Sequence, residues 1–265
     1  MKASSTISYE LAHNELLRLD DEREFVDATI STLGPQPPNF KAIVALNRGP
    51  LDTHELYVGP LTPRQIEARR AAGALLVDVR TDLQYDDAHV PDAICNPAVR
   101  AGFGTKLAWV VGPDQEVVLL GRDDEDASHA AQLAAAVGVR NVAGYLAGGM
   151  TSWREEHRPT RRVQRIGVDQ LHARAGDEHL QILDVRETSE WRQGHIPGSV
   201  HKPYHELDGP PDGLDPERPI AVICSSGQRS ALAASLLLRG GAGEVIHVAD
   251  GGVGTWARRG WATEE

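Results

Sequence analysis

Short runs rich in aliphatic residues alternate along this chain with longer stretches of helix-forming residues. In the last third, QILD (181–184), AVIC (221–224) and EVIHV (244–248) are rich in aliphatic residues, and such runs suit strands buried on both faces of a parallel sheet. Between the last two lies SALAASLLLR (230–239), full of strong helix formers and stopped by Gly240 and Gly241. The same order occurs earlier, as VVLL (117–120), ASHAAQLAAAV (127–137) followed by Gly138, and NVAGY (141–145). Strand, helix, strand at this spacing predicts crossover units and an α/β fold built on mostly parallel sheets flanked by helices.

The pattern is also a repeat. LLVDVRTDLQYDDAHVP (75–91) returns as ILDVRETSEWRQGHIP (182–197), and the eleven-position spacing of Asp78 and His89 is kept by Asp184 and His195. VVLLG ending at Gly121 matches AVIC ending at Cys224, and AGGMTSW (147–153) matches DGGVGTW (250–256). Gly121 to Gly148 and Cys224 to Gly251 both span 27 positions. The chain therefore contains a tandem duplication, read as domains at 57–158 and 159–265. HRPTRRVQ (157–164), with Pro159 and clustered arginines, predicts an exposed, solvated connector between them. Residues 1–56 belong to neither copy. There, DDEREFVDATISTL (20–33) has a helical pattern with Phe25, Ala28, Thr29 and Leu33 on one stripe, and the prolines of GPQPPNF then break it. This leader is too short to build its own core and is expected to pack on the first copy or a partner.

Composition narrows the function classes. At 41% hydrophobic and 25% charged residues, the 265-residue chain has the make-up of a globular protein. A net charge of −11 excludes the basic surface that nucleic acid binding needs. No apolar run approaches the roughly 18–20 residues of a membrane helix, and MKASSTISYE does not read as a secretory signal. A cytoplasmic location is expected, with the two cysteines, Cys95 and Cys224, as free thiols.

Chemistry concentrates in Cys224-Ser225-Ser226-Gly227-Gln228-Arg229-Ser230, between the end of a predicted strand and the start of a predicted helix. Open α/β sheets place ligands there, and the free N–H groups of a helix start favour a thiolate. Gly227 lets the backbone curl into an anion-binding nest, and Arg229 adds a forked cation for an anionic substrate. The expectation is an ionised sulfur open to donors in solution.

The loop C-x-x-G-x-R-S, preceded by L-D-V-R and G-H-I-P-G-S, resembles the rhodanese family of sulfurtransferases. The resemblance covers nearly all of 57–265 as two copies, and falls on Asp184 and Arg186, on Glu190 and residues 195–199, on the loop, and on the Asp250 to Trp256 stretch. It implies two tandem rhodanese-like domains without cofactor or metal. It also implies that Cys224 takes a sulfane sulfur from thiosulfate or a persulfide and passes it to a thiol or cyanide. The N–H groups of Ser225, Ser226, Gly227, Gln228, Arg229 and Ser230 would hold the terminal sulfur, with Arg229 attracting the donor. Asp184 and Arg186 are read as a buried ion pair supporting the loop, His195 as a structural hydrogen-bonder, and His201, His205 and His247 as ordinary. A non-catalytic sulfur-carrier or regulatory module is the alternative. Cysteine phosphatases and arsenate reductases fit less well, since they resemble C-x5-R and only four residues separate Cys224 from Arg229.

In the first copy Gly121 stands at the cysteine position and Asp126 at the arginine position, with Arg122-Asp123-Asp124-Glu125 between. A glycine supplies no nucleophile and the carboxylates repel anions, so this copy is expected to be silent. SSTISYELAHNELL and PPNFKAIVALNRGPL in the leader resemble the carboxy-terminal tail of metallo-β-lactamase-fold persulfide dioxygenases, which often occur fused to rhodanese domains. The resemblance implies such a dioxygenase as partner or a truncated fusion, but the H-x-H-x-D-H metal cluster of that fold is missing from the sequence and no metal site carries over.

Overall fold

In the computed structural model, residues 4–50 and 57–265 are described; the expected end of the leader at 56 lies outside them. Residues up to Pro37 form one unit. It holds α1 (Ile7–His13), a 3-10 turn (Glu15–Arg18) and α2 (Glu22–Thr32). Asp21 starts α2 by accepting from the N–H groups of Arg23 and Glu24, as a good N-cap does. The helix expected over 20–33 forms, but its apolar stripe is not buried: Phe25 and Leu33 keep 41% and 60% of their surface.

The second unit runs from Pro38 to the end. It begins with α3 (Phe40–Arg48), and Asn39 just before that helix donates from Nδ2 to the Val137 carbonyl at 2.7 Å. The first duplicated copy follows as β1 (Pro60–Leu61), α4 (Pro63–Ala71), β2 (Leu75–Asp78), α5 (Asp82–Asp87), β3 (Ile94–Cys95), α6 (Phe103–Val110), β4 (Val117–Leu120), α7 (Asp124–Ala136), β5 (Val142–Leu146) and α8 (Gly149–Glu155). The second copy is β6 (Gln164–Gly167), α9 (Val168–Ala173), β7 (Gln181–Asp184), α10 (Thr188–Trp191), β8 (Val200–His201), a 3-10 turn (Tyr204–Glu206), β9 (Ile220–Ile223), α11 (Gln228–Arg239), β10 (Val245–Asp250) and α12 (Val253–Arg258).

Each copy is a five-stranded sheet, ordered β1-β5-β4-β2-β3 and β6-β10-β9-β7-β8, with every pairing parallel. The fold class is the one expected. The central strands are the apolar runs read from the sequence, and all four residues of β4 and of β9 are fully buried. Each aliphatic side chain removed from water there stabilises by about 1.5–3 kcal/mol. The edge strands β1, β3 and β8, of two residues each, carry too little pattern to be read in advance.

The duplication extends to hydrogen bonds. His89 takes the Arg161 carbonyl through its backbone N–H, and His195 takes that of Glu264. Its ring stacks on Tyr85 in the first copy, as that of His195 does on Trp191 in the second. Trp153 Nε1 donates to the Pro159 carbonyl and Trp256 Nε1 to that of Ala262. Each closing tail is thus strapped to its own copy. The connector is exposed, as expected, at most of its positions, with Arg158 half-buried and Val163 buried. Arg158 pairs with Glu67 and Glu156, Arg162 with Asp87, and the Val163 N–H reaches the Asp86 carbonyl.

The two copies share one core. Ile94, Phe103 and Leu107 of the first pack in the same cluster as Leu232, Leu237 and Cys224 of the second. Helix α11 lies where they meet, which accounts for the small residues of its ALAAS run: Ala231, Ala233, Ala234 and Ser235 are all buried. Ser235 Oγ accepts the backbone N–H of Cys95 at 2.9 Å and donates to the Leu232 carbonyl. Ser235→Ala strands a buried amide of the first copy by a change made in the second, and is expected to cost about 1–3 kcal/mol. Urea unfolding should show one transition at a lower midpoint; an unchanged midpoint would mean that this contact contributes nothing to docking.

Candidate active site

Strand β9 ends at Ile223, one residue before the predicted strand end, so that Cys224 is the first residue past the carboxyl edge of a central strand. The chain then turns through Gly227, which adopts the left-handed φ of +85° and caps α11. A side chain there would meet the Ala249 carbonyl at 2.6 Å, so the turn needs glycine on two counts. Opposite it, Gly252 lies so close to the Cys224 carbonyl that a Cβ would overlap it, while the next N–H, of Val253, donates to that carbonyl. The Asp-Gly-Gly stretch is thus the wall against which the loop is folded.

Within the loop, the Gly227 N–H donates to Cys224 Sγ at 3.2 Å, and the Ser230 hydroxyl lies 3.5 Å from the sulfur while bonding the Val248 carbonyl. The N–H groups of Gln228, Arg229 and Ser230, the first turn of α11, have no backbone acceptor among the described residues, as expected at a helix start. One amide therefore engages the sulfur directly, fewer than the converging set expected. The thiol also differs from expectation in exposure: Cys224 is 1% exposed and belongs to the shared core. The chain passes over it, leaving the rim, Ser225 and Ser226, exposed.

Arg229, expected to offer its fork to an anionic substrate, is engaged by a carboxylate of the chain itself. Its guanidinium forks onto both oxygens of Glu190, and Nη2 also donates to Ser225 Oγ at 2.8 Å. Ser225 in turn donates to Glu190 Oε1 at 2.7 Å. Burial alone would raise the Glu190 carboxyl, but the Arg229 and Ser225 bonds outweigh it and pull it down to about 2. Arg229 is likewise held above its usual range by Glu190 against the opposing effect of burial. Glu190 and Arg229 thus brace the rim of the loop as a unit.

Asp184 and Arg186 form the expected buried pair, at 2.6 Å. Arg186 donates onward to the carbonyls of Glu190 and Gly194, so it supports the loop indirectly, by fixing the segment that carries Glu190. Asp78 and Arg80 repeat this in the first copy, with a bond to the Ala88 carbonyl. His195 bonds the Trp191 carbonyl through Nδ1. His201 bonds the Arg186 carbonyl, and His205 meets Glu187 at 3.1 Å. In the first copy the carboxylates serve the backbone: Asp123 caps α7, Asp124 accepts the Gly148 N–H and Asp126 that of Arg122. Burial pushes the Cys95 thiol well up, as fits an inert side chain.

Two residues were missed. His247, read as ordinary, is fully buried in β10 and bridges Asp86 of the first copy to the Gly227 carbonyl, each at 2.8 Å. A histidine inside the otherwise apolar EVIHV run was the available signal, because a buried ring needs polar partners. Lys106, on α6 of the first copy, is 5% exposed and has no carboxylate within ion-pair distance among the described residues. Burial lowers its ammonium, and it is close enough to feel charge on Cys95, Cys224, Arg100 and Arg229. Nothing in its local sequence announces this.

The family described as Rhodanese-like domain matches the chain twice, at residues 62–156 and 167–259. Over 75 residues the chain is 44% identical to "Putative sulfur carrier protein YrkF" of Bacillus subtilis (strain 168), covering 28% of this chain and 40% of that one. Over 99 residues it is 32% identical to a protein of Allochromatium vinosum named "Sulfurtransferase", covering 37% and 92%. Among solved structures, the thiosulfate sulfurtransferase from Pseudomonas aeruginosa aligns at 21% identity with a TM-score of 0.35, covering 78% of this chain and 44% of that one. The chain thus spans less than half the length of the Bacillus and Pseudomonas proteins.

The Glu190 pair yields a pH prediction. Its stabilisation is fully present above the ordinary carboxyl value of 4.5 and is lost as pH falls toward 2. Discounted for solvent screening, Glu190→Gln should cost about 1–2 kcal/mol at neutral pH. The gap from wild type, read by urea unfolding at stepped pH, should close between pH 4.5 and 2. A gap that stays constant with pH would contradict this assignment.

Proposed function

The chain belongs to the rhodanese-like domain family, and from that premise we propose that its second copy is a sulfurtransferase whose Cys224 carries one sulfur atom from an anionic sulfane donor to a thiol acceptor. The observation that carries the reading is the placement of Cys224 Sγ under the first turn of α11. There the Gly227 N–H already donates to it and three further amides stand without backbone acceptors among the described residues. Such a site stabilises a thiolate, and after transfer it offers donors to a second sulfur bearing the same charge.

The steps balance without an external oxidant. The Cys224 thiolate attacks the outer sulfur of thiosulfate; the new S–S bond forms as the bond to the sulfite sulfur breaks, and sulfite leaves with the electron pair. Cys224 is then a persulfide anion. An acceptor thiolate attacks the terminal sulfur, leaves as its own persulfide, and returns the Cys224 thiolate. Ser230 steadies the inner sulfur through its hydroxyl. Because Glu190 neutralises Arg229, the charge that attracts the donor comes from Lys106, which has no carboxylate within ion-pair distance among the described residues and interacts electrostatically with Cys224. A cysteine phosphatase is disfavoured by the same geometry: the loop is one residue short of C-x5-R, and its arginine is turned onto a carboxylate.

Incubation with thiosulfate should add about 32 Da, one sulfur atom, to wild type and to Cys95→Ser but not to Cys224→Ser. No adduct from thiosulfate, mercaptopyruvate or a glutathione persulfide would leave the non-catalytic module as the better reading. Lys106→Ala should raise KM for thiosulfate on the order of five- to tenfold, with a smaller change for an uncharged donor. Equal effects on both donors would show that the lysine acts otherwise than by charge.

A further inference from the structure

Resting on that reading of Cys224, we propose that the silent first copy takes part in the reaction: Asp86 acts as a positioning residue that fixes the cysteine loop through His247. Asp86 sits on α5 with 4% of its surface exposed, and His247 on β10 with none. Nδ1 of the ring meets Asp86 Oδ2, and Nε2 meets the Gly227 carbonyl, both at 2.8 Å. A backbone carbonyl only accepts, and so does a carboxylate that also takes a bond from Arg165 at 3.1 Å. Both bonds therefore exist together only when both ring nitrogens carry hydrogen, which makes the ring a cation clamped between Asp86 and the loop.

The charged groups around the ring complete the arrangement. Arg165, its register partner on β6, bonds Asp82 and Asp86 of α5 and reaches Asp250 at the end of β10. Two cations, Arg165 and the ring, thus face the carboxylates of Asp82, Asp86 and Asp250.

What the clamp does follows from peptide geometry. The Gly227 carbonyl belongs to the same planar trans unit as the Gln228 N–H, and in that unit the two point in opposite directions. Holding the carbonyl toward His247 holds the Gln228 amide away from it, as one of the acceptor-free donors of the first turn. The same glycine donates to Cys224 Sγ. The carbonyl also accepts from Ala231 N–H at 3.1 Å, as its two lone pairs allow.

The pair is not a leftover of the duplication. By the alignment of the two copies, Gly144 stands where His247 stands, and Arg192 where Asp86 stands. Neither copy can build the contact alone. The first copy lost its nucleophile but carries the carboxylate that the second lacks.

Asp86→Asn keeps the shape and removes the charge that holds the second ring proton. It should lower kcat for sulfur loading by about tenfold or more while KM for thiosulfate stays within about twofold. Asp87→Asn, an exposed neighbour on the same helix, should leave both unchanged. In wild type, nitrogen-15 NMR of the histidines should show two ring N–H groups for His247, and in Asp86→Asn only one. Gln228 amide exchange should rise about tenfold in the variant relative to that of Val222. A single ring N–H in wild type, or an unchanged kcat and Gln228 exchange in Asp86→Asn, would overturn the proposal. Should wild type accept sulfur from no donor, the reading of Cys224 fails, while the ring protons and the Gln228 exchange still decide the clamp.

Discussion

Gly227 faces two ways, and the site depends on that. Its N–H donates to the Cys224 sulfur, and its carbonyl accepts from His247 and from Ala231. The left-handed turn that allows both is closed to any side chain by the Ala249 carbonyl. A flat loop at this strand end would leave the sulfur without that amide; at Cys95, which has no such loop, burial pushes the thiol well up. Both cysteines are buried, and the curled backbone is what brings an amide to the sulfur of Cys224.

Duplication supplied the scaffold twice and the cysteine loop once. Both copies keep the Asp–Arg pair at the second strand, the histidine stacked on an aromatic ring and the tryptophan that anchors the closing tail. They differ where the strand meets the central helix. In the first copy carboxylates cap α7 and tie off backbone donors; in the second the N–H groups of Gln228, Arg229 and Ser230 have no backbone acceptor among the described residues. Helix α11 is buried by its own sheet and by the other copy at once, so the loop at its start is fixed from both sides.

Much of this was legible in the sequence, because it rests on local rules. Apolar runs marked β4 and β9, since strands buried on both faces tolerate no polar alternation. The spacing from Gly121 to Gly148 and from Cys224 to Gly251 exposed the repeat, and the glycine within the cysteine loop marked the turn. What escaped is non-local. Glu190 lies 39 positions before Arg229 and His247 lies 161 positions after Asp86, and no periodicity connects them. Arg229 was therefore read as facing a substrate and His247 as ordinary. The burial of Cys224 was missed for a related reason: a strand-end position gives no hint that a second domain closes over it. In the leader the stripe made the helix readable, and Phe25 and Leu33 of that stripe stay exposed.

The central claim is that the first turn of α11 holds the transferred sulfur. Amide NMR before and after loading Cys224 with sulfur tests it most directly. The N–H resonances of Gly227, Gln228, Arg229 and Ser230 should move together to lower field as a charged sulfur enters among them, and return when an acceptor thiol removes it. Sulfur retained on Cys224 with these four resonances unmoved would contradict the account.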